Sequence, residues 1–195
     1  MRILWACTGS VATVKVPEAV LELLSQGHHV KVVTTKHGLI MLHGGPAQKY
    51  NPTAYADFLK AQVQVVTDED EWPKNYQVGK DPVLHIELRK WADVLVIAPL
   101  SANSLAKLAY GFCDNLLTCV VRAWDINRPI VIAPAMNTLM WENPHTAKHL
   151  SMLPAYFIFV PPIEKTLACN DTGVGAMAAV ADICSKVTSQ KPSAL

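Results

Sequence analysis

The fold is indicated most directly by residues 128–137, whose sequence is RPIVIAPAMN. Residues 128–133 are predicted to form a short buried strand, because they contain a continuous apolar run bounded by a proline, which is typical of a strand covered on both faces. Asn137 follows where that strand ends, and ligands of open parallel sheets bind at this edge. Two roles of Asn137 stay open on spacing alone: it contacts a ligand, or it caps a helix predicted over residues 138–148.

An earlier strand also ends in small and polar residues. The strand predicted at residues 2–7 leads into Gly9 and Ser10, and a helix is predicted over residues 11–25. A glycine turn before a helix N-terminus lets backbone N–H groups approach a phosphate, although the same turn also serves as a plain helix start. The dinucleotide pattern Gly-x-Gly-x-x-Gly is absent, so a mononucleotide fits better.

Two further strand ends carry hydroxyl groups. Thr34 and Thr35 end the strand predicted at residues 29–34, and Ser101 to Ser104 follow the strand predicted at residues 93–98. Strands that alternate with helices in this way predict an α/β fold, a doubly wound, mostly parallel sheet of the flavodoxin or Rossmann type, with one site along the carboxyl ends of the strands. We expect a single domain over residues 1–187 and a flexible tail over residues 188–195.

Two segments lack a helix or strand period. Residues 67–82 include the acidic run Asp68–Glu71, and we interpret the segment as an exposed loop with a solvated charge cluster. Residues 163–175 are interpreted as a loop that forms a mobile flap, because Gly173 and Gly175 follow no predicted strand. A helix is predicted over residues 176–187.

Composition excludes some classes of partner. Seventeen Lys and Arg residues against sixteen Asp and Glu residues give a formal charge of +1, so no nucleic-acid or membrane partner is indicated. No signal peptide is visible, and no run reaches the ~18 apolar residues of a membrane span, so we expect a cytoplasmic protein. The five cysteines are widely spaced and are predicted to be free thiols.

Several motifs along the chain resemble one family. In chain order they are GSVA at 9–12, DPVLHIEL at 81–88, APLSAN at 98–103, CDNLL at 113–117, PAMNTLMW at 134–141, and LAC followed by GAM at 167–177. Together they resemble the eukaryotic-type phosphopantothenoylcysteine decarboxylases, which are homo-oligomeric flavin-containing cysteine decarboxylases. The resemblance extends over residues 2–187.

The resemblance implies an FMN enzyme of coenzyme A biosynthesis that converts phosphopantothenoylcysteine to phosphopantetheine and carbon dioxide. Loss of carbon dioxide leaves electrons on Cα, and the neighbouring CH₂–SH group cannot accept them. Oxidation to a thioaldehyde provides a C=S sink, decarboxylation then gives an enethiolate, and the reduced flavin returns the hydride while an acid supplies a proton.

The resemblance also assigns residues to roles. His85 matches the catalytic base and Cys169 the acid that protonates the enethiolate, while Asn137 would hold the substrate carboxylate. Thr166 and Ala168 match substrate-binding positions. The positions that match FMN contacts are Gly9, Ser10, Val11, Thr34, Thr35, Ser101, Ala102, Asn103, Ser104 and Ala135. The family's flavin lies at a subunit interface of a trimer, which would account for the 51% hydrophobic composition.

The chain departs from the family pattern at three positions. Ser104 replaces a threonine and keeps the hydroxyl, and Asn170 replaces a glycine of the flap, which would change the path of that loop. Thr166 replaces a basic residue, which would weaken a contact to the substrate phosphate.

Four other functions fit parts of the same sequence pattern. They are an inhibitory subunit of a protein phosphatase, a peptidyl-cysteine decarboxylase, a flavin prenyltransferase and a flavodoxin-like electron carrier. His85, Asn137 and Cys169 together favour the decarboxylase, because a regulator or a carrier needs no base. His145 and His149 have zinc-like helical spacing but no obvious third ligand, so a solvated helix face is preferred.

Overall fold

Six parallel strands form the central sheet of a computed structural model that describes residues 1–166 and 172–190. They are β1 (Arg2–Cys7), β2 (His29–Thr34), β3 (Val65–Val66), β4 (Val94–Leu100), β5 (Ile130–Pro134) and β6 (Phe157–Phe159). Their order across the sheet is β3-β2-β1-β4-β5-β6. The strand order reverses between β1 and β4, and a crevice opens there at the carboxyl ends of the strands. The predicted doubly wound fold is confirmed.

Helices cover both faces of this sheet. Their bounds are α1 (Val16–Ser25), preceded by a 3-10 helix (Val11–Lys15), α2 (Lys36–His43), α3 (Pro46–Tyr50), α4 (Pro52–Lys60), α5 (Asp68–Glu71), α6 (Leu84–Trp91), α7 (Ala102–Tyr110), α8 (Leu116–Arg122), α9 (Thr138–Glu142), α10 (Pro144–Met152) and α11 (Val180–Thr188). α1 packs on α4 and α11, whereas α6 packs on α8.

The alternation of side chains along β1 shows how the two faces are buried. Trp5 belongs to the cluster that includes residues of α1 and α11, and Leu4 belongs to the cluster that includes residues of α6 and α8. Both side chains are fully buried. Because both faces are covered, the strands are continuous apolar runs. The strand predicted at residues 128–133 is confirmed and lies at Ile130–Pro134.

The interpretation of residues 163–175 as a loop was wrong. β7 (Ile163–Thr166) pairs antiparallel with β8 (Thr172–Ala176), so Gly173 and Gly175 lie within a strand. All four residues of β7 are exposed. Because neither face of β7 is buried, the sequence carries no apolar period that could reveal it.

The helix predicted over residues 138–148 is two helices. α9 ends at Glu142, and α10 begins at Pro144, whose ring removes the N–H that a continuous helix needs. Asn143 caps the second helix, since its Oδ1 accepts a hydrogen bond from the His145 N–H at 3.0 Å. The helix predicted at 176–187 starts later, at Val180, and ends at Thr188.

The described residues bear on two expectations drawn from composition. Cys7, Cys113, Cys119 and Cys184 are free thiols, as predicted, and Cys7 and Cys184 are buried. Burial raises the pKa of each of these two thiols to about 12. None of the helices in the described part of the chain has the length and apolar character that a membrane span requires.

Thr8 joins the ends of β1 and β4. Its buried hydroxyl donates to the Pro99 carbonyl at 2.8 Å and accepts from the Ser101 N–H at 2.8 Å. The Thr8 carbonyl in turn accepts from the Thr13 hydroxyl at 2.8 Å. Through its hydroxyl and its carbonyl, this one residue fixes the two strand ends and the 3-10 helix relative to one another.

We predict that Thr8→Val destabilises the fold, although valine has nearly the same shape as threonine. The Ser101 N–H would be left without its acceptor, which costs about 1–3 kcal/mol of the free energy of unfolding. Urea unfolding at a fixed protein concentration measures this change. Thr53→Val, at an exposed position of α4, is the matched control and is expected to change the free energy of unfolding by less than about 0.5 kcal/mol. Equal effects of the two substitutions would contradict the prediction.

Candidate active site

A cavity of about 540 Å³ lies at the carboxyl ends of β1, β4 and β5. It is lined by the turn after β1, the loop after β4, the loop after β5 and the β7–β8 hairpin. The residues singled out from the sequence that line it are Gly9, Ser10, Val11, Ser101, Ala102, Ala135, Asn137 and Thr166. The fold therefore brings most of the predicted positions to one place.

A second cavity of about 400 Å³ adjoins the first, with which it shares Gly9, Ser101, Ala102 and Met140. The other predicted positions that line it are Thr35, Asn103 and Ser104. Charged side chains also line it, and they are Lys36, Asp68, Lys107 and Asp114. The two cavities form one groove along the edge of the sheet.

The turn after β1 presents backbone N–H groups to the first cavity. Among residues 1–166 and 172–190, the N–H groups of Gly9 and Val11 have no acceptor. A Cβ at position 9 would lie 2.7 Å from the Cβ of His37, so only glycine fits where this turn packs against α2. The positive end of the 3-10 helix and the two N–H groups together suit an anion.

The hydroxyl groups at the strand ends mostly hold their own loops. Ser101 Oγ accepts from the Ser104 N–H at 3.3 Å and caps α7, and Thr35 Oγ1 accepts from the Gly38 N–H at 3.3 Å and caps α2. Thr34 lines neither cavity, because its side chain is buried and donates to the Thr35 carbonyl. Thr34 can therefore act on a bound ligand only indirectly, by holding Thr35 in position.

Asn137 caps α9, which was one of its two possible roles. Its Oδ1 accepts from the Leu139 N–H at 2.9 Å, and its carbonyl accepts from the Trp141 N–H at 2.9 Å. Its side chain also lines the first cavity. Capping uses the oxygen of the amide, whereas binding a carboxylate would use the nitrogen, so capping does not by itself exclude the second role.

The β7–β8 hairpin is fastened to the Asn137 loop. The Met136 N–H donates to the Gly175 carbonyl at 2.9 Å. A Cβ at position 175 would lie 2.4 Å from the Met136 carbonyl oxygen, and one at position 173 would lie 2.7 Å from Cγ2 of Thr138. The hairpin can approach this closely only because both positions are glycine. Ala168, Cys169 and Asn170 fall between the two strands, outside the described residues.

Two lysines that the sequence analysis did not single out line the cavity. Lys15 lies in the last turn of the 3-10 helix, and Lys165 lies on β7 next to Thr166. Burial, followed by the nearby charge of Lys165, lowers the pKa of Lys15 from its ordinary value. Two cationic groups that repel each other across a cavity would be stabilised by an anion between them.

His85 lies in the first turn of α6 and lines neither cavity. Its Nδ1 is 2.6 Å from Oε1 of Glu71, and its backbone N–H donates to Oε2 of Glu71 at 2.9 Å. α6 packs on the face of the sheet opposite to α1. Within one described chain, His85 and Asn137 therefore belong to separate parts of the candidate site.

The interpretation of the acidic run as solvated was wrong for Glu71. This side chain is 3% exposed and ends α5, a short helix that the sequence analysis missed. A capping box starts α5, because Thr67 and Asp70 bond reciprocally. The pattern Thr67-x-x-Asp70 was the available signal for this helix.

His145 and His149 lie one turn apart on α10, and the His149 ring also meets the ring of Tyr110, with the centroids 5.4 Å apart. The rings of His145 and His149 are 6.0 Å apart. Within residues 1–166 and 172–190, no group of three or more His, Cys, Asp or Glu side chains is arranged to hold a metal ion.

Comparisons with known proteins agree with this fold. The family described as Flavoprotein matches residues 1–191. A probable phosphopantothenoylcysteine decarboxylase of Arabidopsis thaliana is 52% identical over 178 residues, which cover 91% of this chain and 82% of the relative. A solved mutant of PPC decarboxylase, complexed with pantothenoylaminoethenethiol, superposes with a TM-score of 0.83 at 48% identity over 96% of both chains.

A second solved structure is described as the FMN binding protein AtHal3. It superposes with a TM-score of 0.80 at 49% identity, over 96% of this chain and 94% of that one. Because a family profile matches nearly the whole sequence and a curated relative shares half of its residues, the chain belongs to the Flavoprotein family and, within it, to the phosphopantothenoylcysteine decarboxylases.

Proposed function

We propose that this chain is an FMN-dependent carboxy-lyase that converts 4'-phosphopantothenoylcysteine to 4'-phosphopantetheine in coenzyme A biosynthesis. The observation that carries the proposal is the cavity at the strand ends, where Asn137 meets the residues predicted to bind FMN. A family of decarboxylases and a relative that binds FMN support it.

The residues present fit FMN. The cavity volume of about 540 Å³ lies within the range of roughly 300–1,000 Å³ that is typical of ligand sites. The N–H groups of Gly9 and Val11 would hold the phosphate, and the loop from Ser101 to Ser104 with Ala135 would lie along the flavin ring. The chemistry that bound FMN supplies is reversible two-electron oxidation of the CH₂–SH group of the substrate.

The chain's own residues would bind and orient the substrate and move its protons. Asn137 would donate to the cysteinyl carboxylate and hold the breaking C–C bond parallel to the π orbital of the neighbouring C=S group, so that the bond's electrons can enter that group. His85 accepts a proton from the substrate, because a neutral imidazole is basic enough to do so near neutral pH. The acid role of Cys169 and the substrate contact of Ala168 remain predictions from the resemblance.

Lys15 and Lys165 are the proposed partners of the substrate phosphate. Thr166 stands where the family more often has a basic residue, and Lys165 is its neighbour on β7. Two ammonium groups that line the same cavity would compensate for the missing charge.

The proposed active form is a trimer with the cavity at a subunit interface. Val11, Tyr50 and Met140 line the cavity and are 55%, 51% and 48% exposed, so apolar side chains there face solvent in a single chain. A neighbouring subunit would cover them, and it would supply its own His85 to the cavity. Subunit sharing would explain why His85 and Asn137 belong to separate parts of one chain.

We predict that the purified protein shows a flavin spectrum and removes carbon dioxide from phosphopantothenoylcysteine. His85→Asn is expected to lower kcat by about 10²- to 10⁴-fold, the usual contribution of a general base. Cys169→Ser is expected to accumulate the enethiol, which mass spectrometry distinguishes from the product. Full turnover by His85→Asn would contradict the role of His85 as the base. Absence of a flavin spectrum would contradict the FMN-dependent mechanism.

We predict that Lys15→Gln and Lys165→Gln each raise the KM for phosphopantothenoylcysteine by about tenfold, because a charge-assisted contact to the phosphate is lost. The KM for pantothenoylcysteine, which lacks the phosphate, should change little. Lys186→Gln, which changes an exposed lysine of α11, is the matched control. Equal rises for both substrates would show that the lysines do not act through the phosphate.

We predict that two inactive variants restore activity when they are mixed. His85→Asn keeps a complete cavity, and Asn137→Ala keeps a complete His85, so a mixed trimer contains some sites with both groups intact. Random mixing in equal amounts makes about one quarter of the sites competent if each site uses two subunits. The variants are unfolded together, refolded and assayed. Activity no higher than that of either variant alone would place the whole site in one subunit.

A further inference from the structure

The buried carboxylate of Glu71 has both oxygens engaged by one residue. Oε2 accepts from the backbone N–H of His85 at 2.9 Å, and Oε1 lies 2.6 Å from Nδ1 of the same residue. Glu71 is 3% exposed, and a carboxylate is costly to bury unless its oxygens are hydrogen-bonded. Its contacts with His85 therefore compensate for its burial.

The helix that carries Glu71 is held at its start. Oδ2 of Asp70 accepts from the N–H of Thr67 at 2.7 Å and from its hydroxyl at 2.8 Å. Oδ1 of Asp68 accepts from the Leu116 N–H at 2.8 Å, which ties α5 to the first turn of α8. Because α6 also packs on α8, the carboxylate and the imidazole are supported by the same neighbouring helix.

An ionised carboxylate only accepts hydrogen bonds, so Nδ1 of His85 must be the nitrogen that carries the proton. In the neutral ring the lone pair is then on Nε2. Among residues 1–166 and 172–190, Nε2 has no hydrogen-bond partner, and the His85 side chain is 22% exposed. The exposed ring nitrogen is thus the basic one.

We infer that Glu71 is a positioning residue for the decarboxylase reaction. Its carboxylate selects the Nδ1–H tautomer of His85 and fixes the direction of the ring, so that Nε2 is the atom that accepts the substrate proton. The bond from Oε2 to the backbone of the same residue limits the rotation of the ring relative to α6. The part of this inference that makes His85 a base rests on the proposed function. The part that concerns the tautomer does not.

A purely structural role of Glu71 gives different expectations. The bond from the His85 N–H to Oε2 also satisfies a backbone donor in the first turn of α6, as a helix cap does. Loss of a cap would weaken the fold and flavin binding together, whereas loss of a positioning residue lowers kcat at unchanged KM.

The test compares Glu71→Gln with Glu69→Gln, which removes an exposed charge from the same helix. A glutamine can accept from the backbone N–H and donate to Nδ1, which would move the ring proton to Nε2. We expect Glu71→Gln to lower kcat by roughly 10- to 100-fold, as loss of a residue that orients a histidine usually does, with KM and flavin content within about twofold. Glu69→Gln should match the unmodified protein.

The tautomer is measured directly by nitrogen-15 NMR of histidine-labelled protein at a pH where the ring is neutral. The His85 signals are identified by their loss in His85→Asn, since the chain has seven histidines. The inference requires the Nδ1–H form in the unmodified protein, and a dominant Nε2–H form would overturn it even if Glu71→Gln does not fold. An unchanged kcat in Glu71→Gln would also overturn it. So would a lower kcat together with a changed KM and a lower flavin content, if the tautomer stays the same. If the unmodified protein fails to turn over phosphopantothenoylcysteine, the proposed function fails while the tautomer remains testable.

Discussion

The hydroxyl of Thr8 is the contact on which the candidate site most depends. It bridges the Pro99 carbonyl at the end of β4 and the Ser101 N–H that opens the next loop, and it is fully buried. The crevice of a doubly wound sheet opens where neighbouring strands send their chains to opposite faces, so its two walls need a direct connection. Because the Thr8 carbonyl also accepts from Thr13, the turn expected to hold a phosphate is set against the loop expected to hold a flavin ring.

The rest of the site is built from loops that hold one another. Met136 donates to Gly175, so the loop that carries Asn137 is fixed to the β7–β8 hairpin. On the other face of the sheet, Glu71 holds His85 through two contacts. Each candidate group is therefore positioned by a neighbour of its own, and an assembly of subunits would only need to bring two preformed parts together.

The sequence predicted the elements whose signal is local. The strand predicted at 128–133 and the cap formed by Asn137 follow from apolar runs and from cap chemistry, and both were confirmed. The β7–β8 hairpin was missed because its pairing joins residues on either side of a connecting segment, and exposed strands have no apolar period. Glu71 was misread because burial of a carboxylate depends on a partner fourteen residues away, which no local pattern reveals.

The close packing of the β7–β8 hairpin on the Asn137 loop limits which substitutions this enzyme can accept during evolution. Successive residues of a strand face opposite sides, and positions 173 and 175 have no space for a Cβ, whereas Val174 is 36% exposed. Neutral substitutions can therefore accumulate at position 174 while its two neighbours stay fixed. Variation along β8 would follow the pleat of the strand, although the strand contributes little to the core.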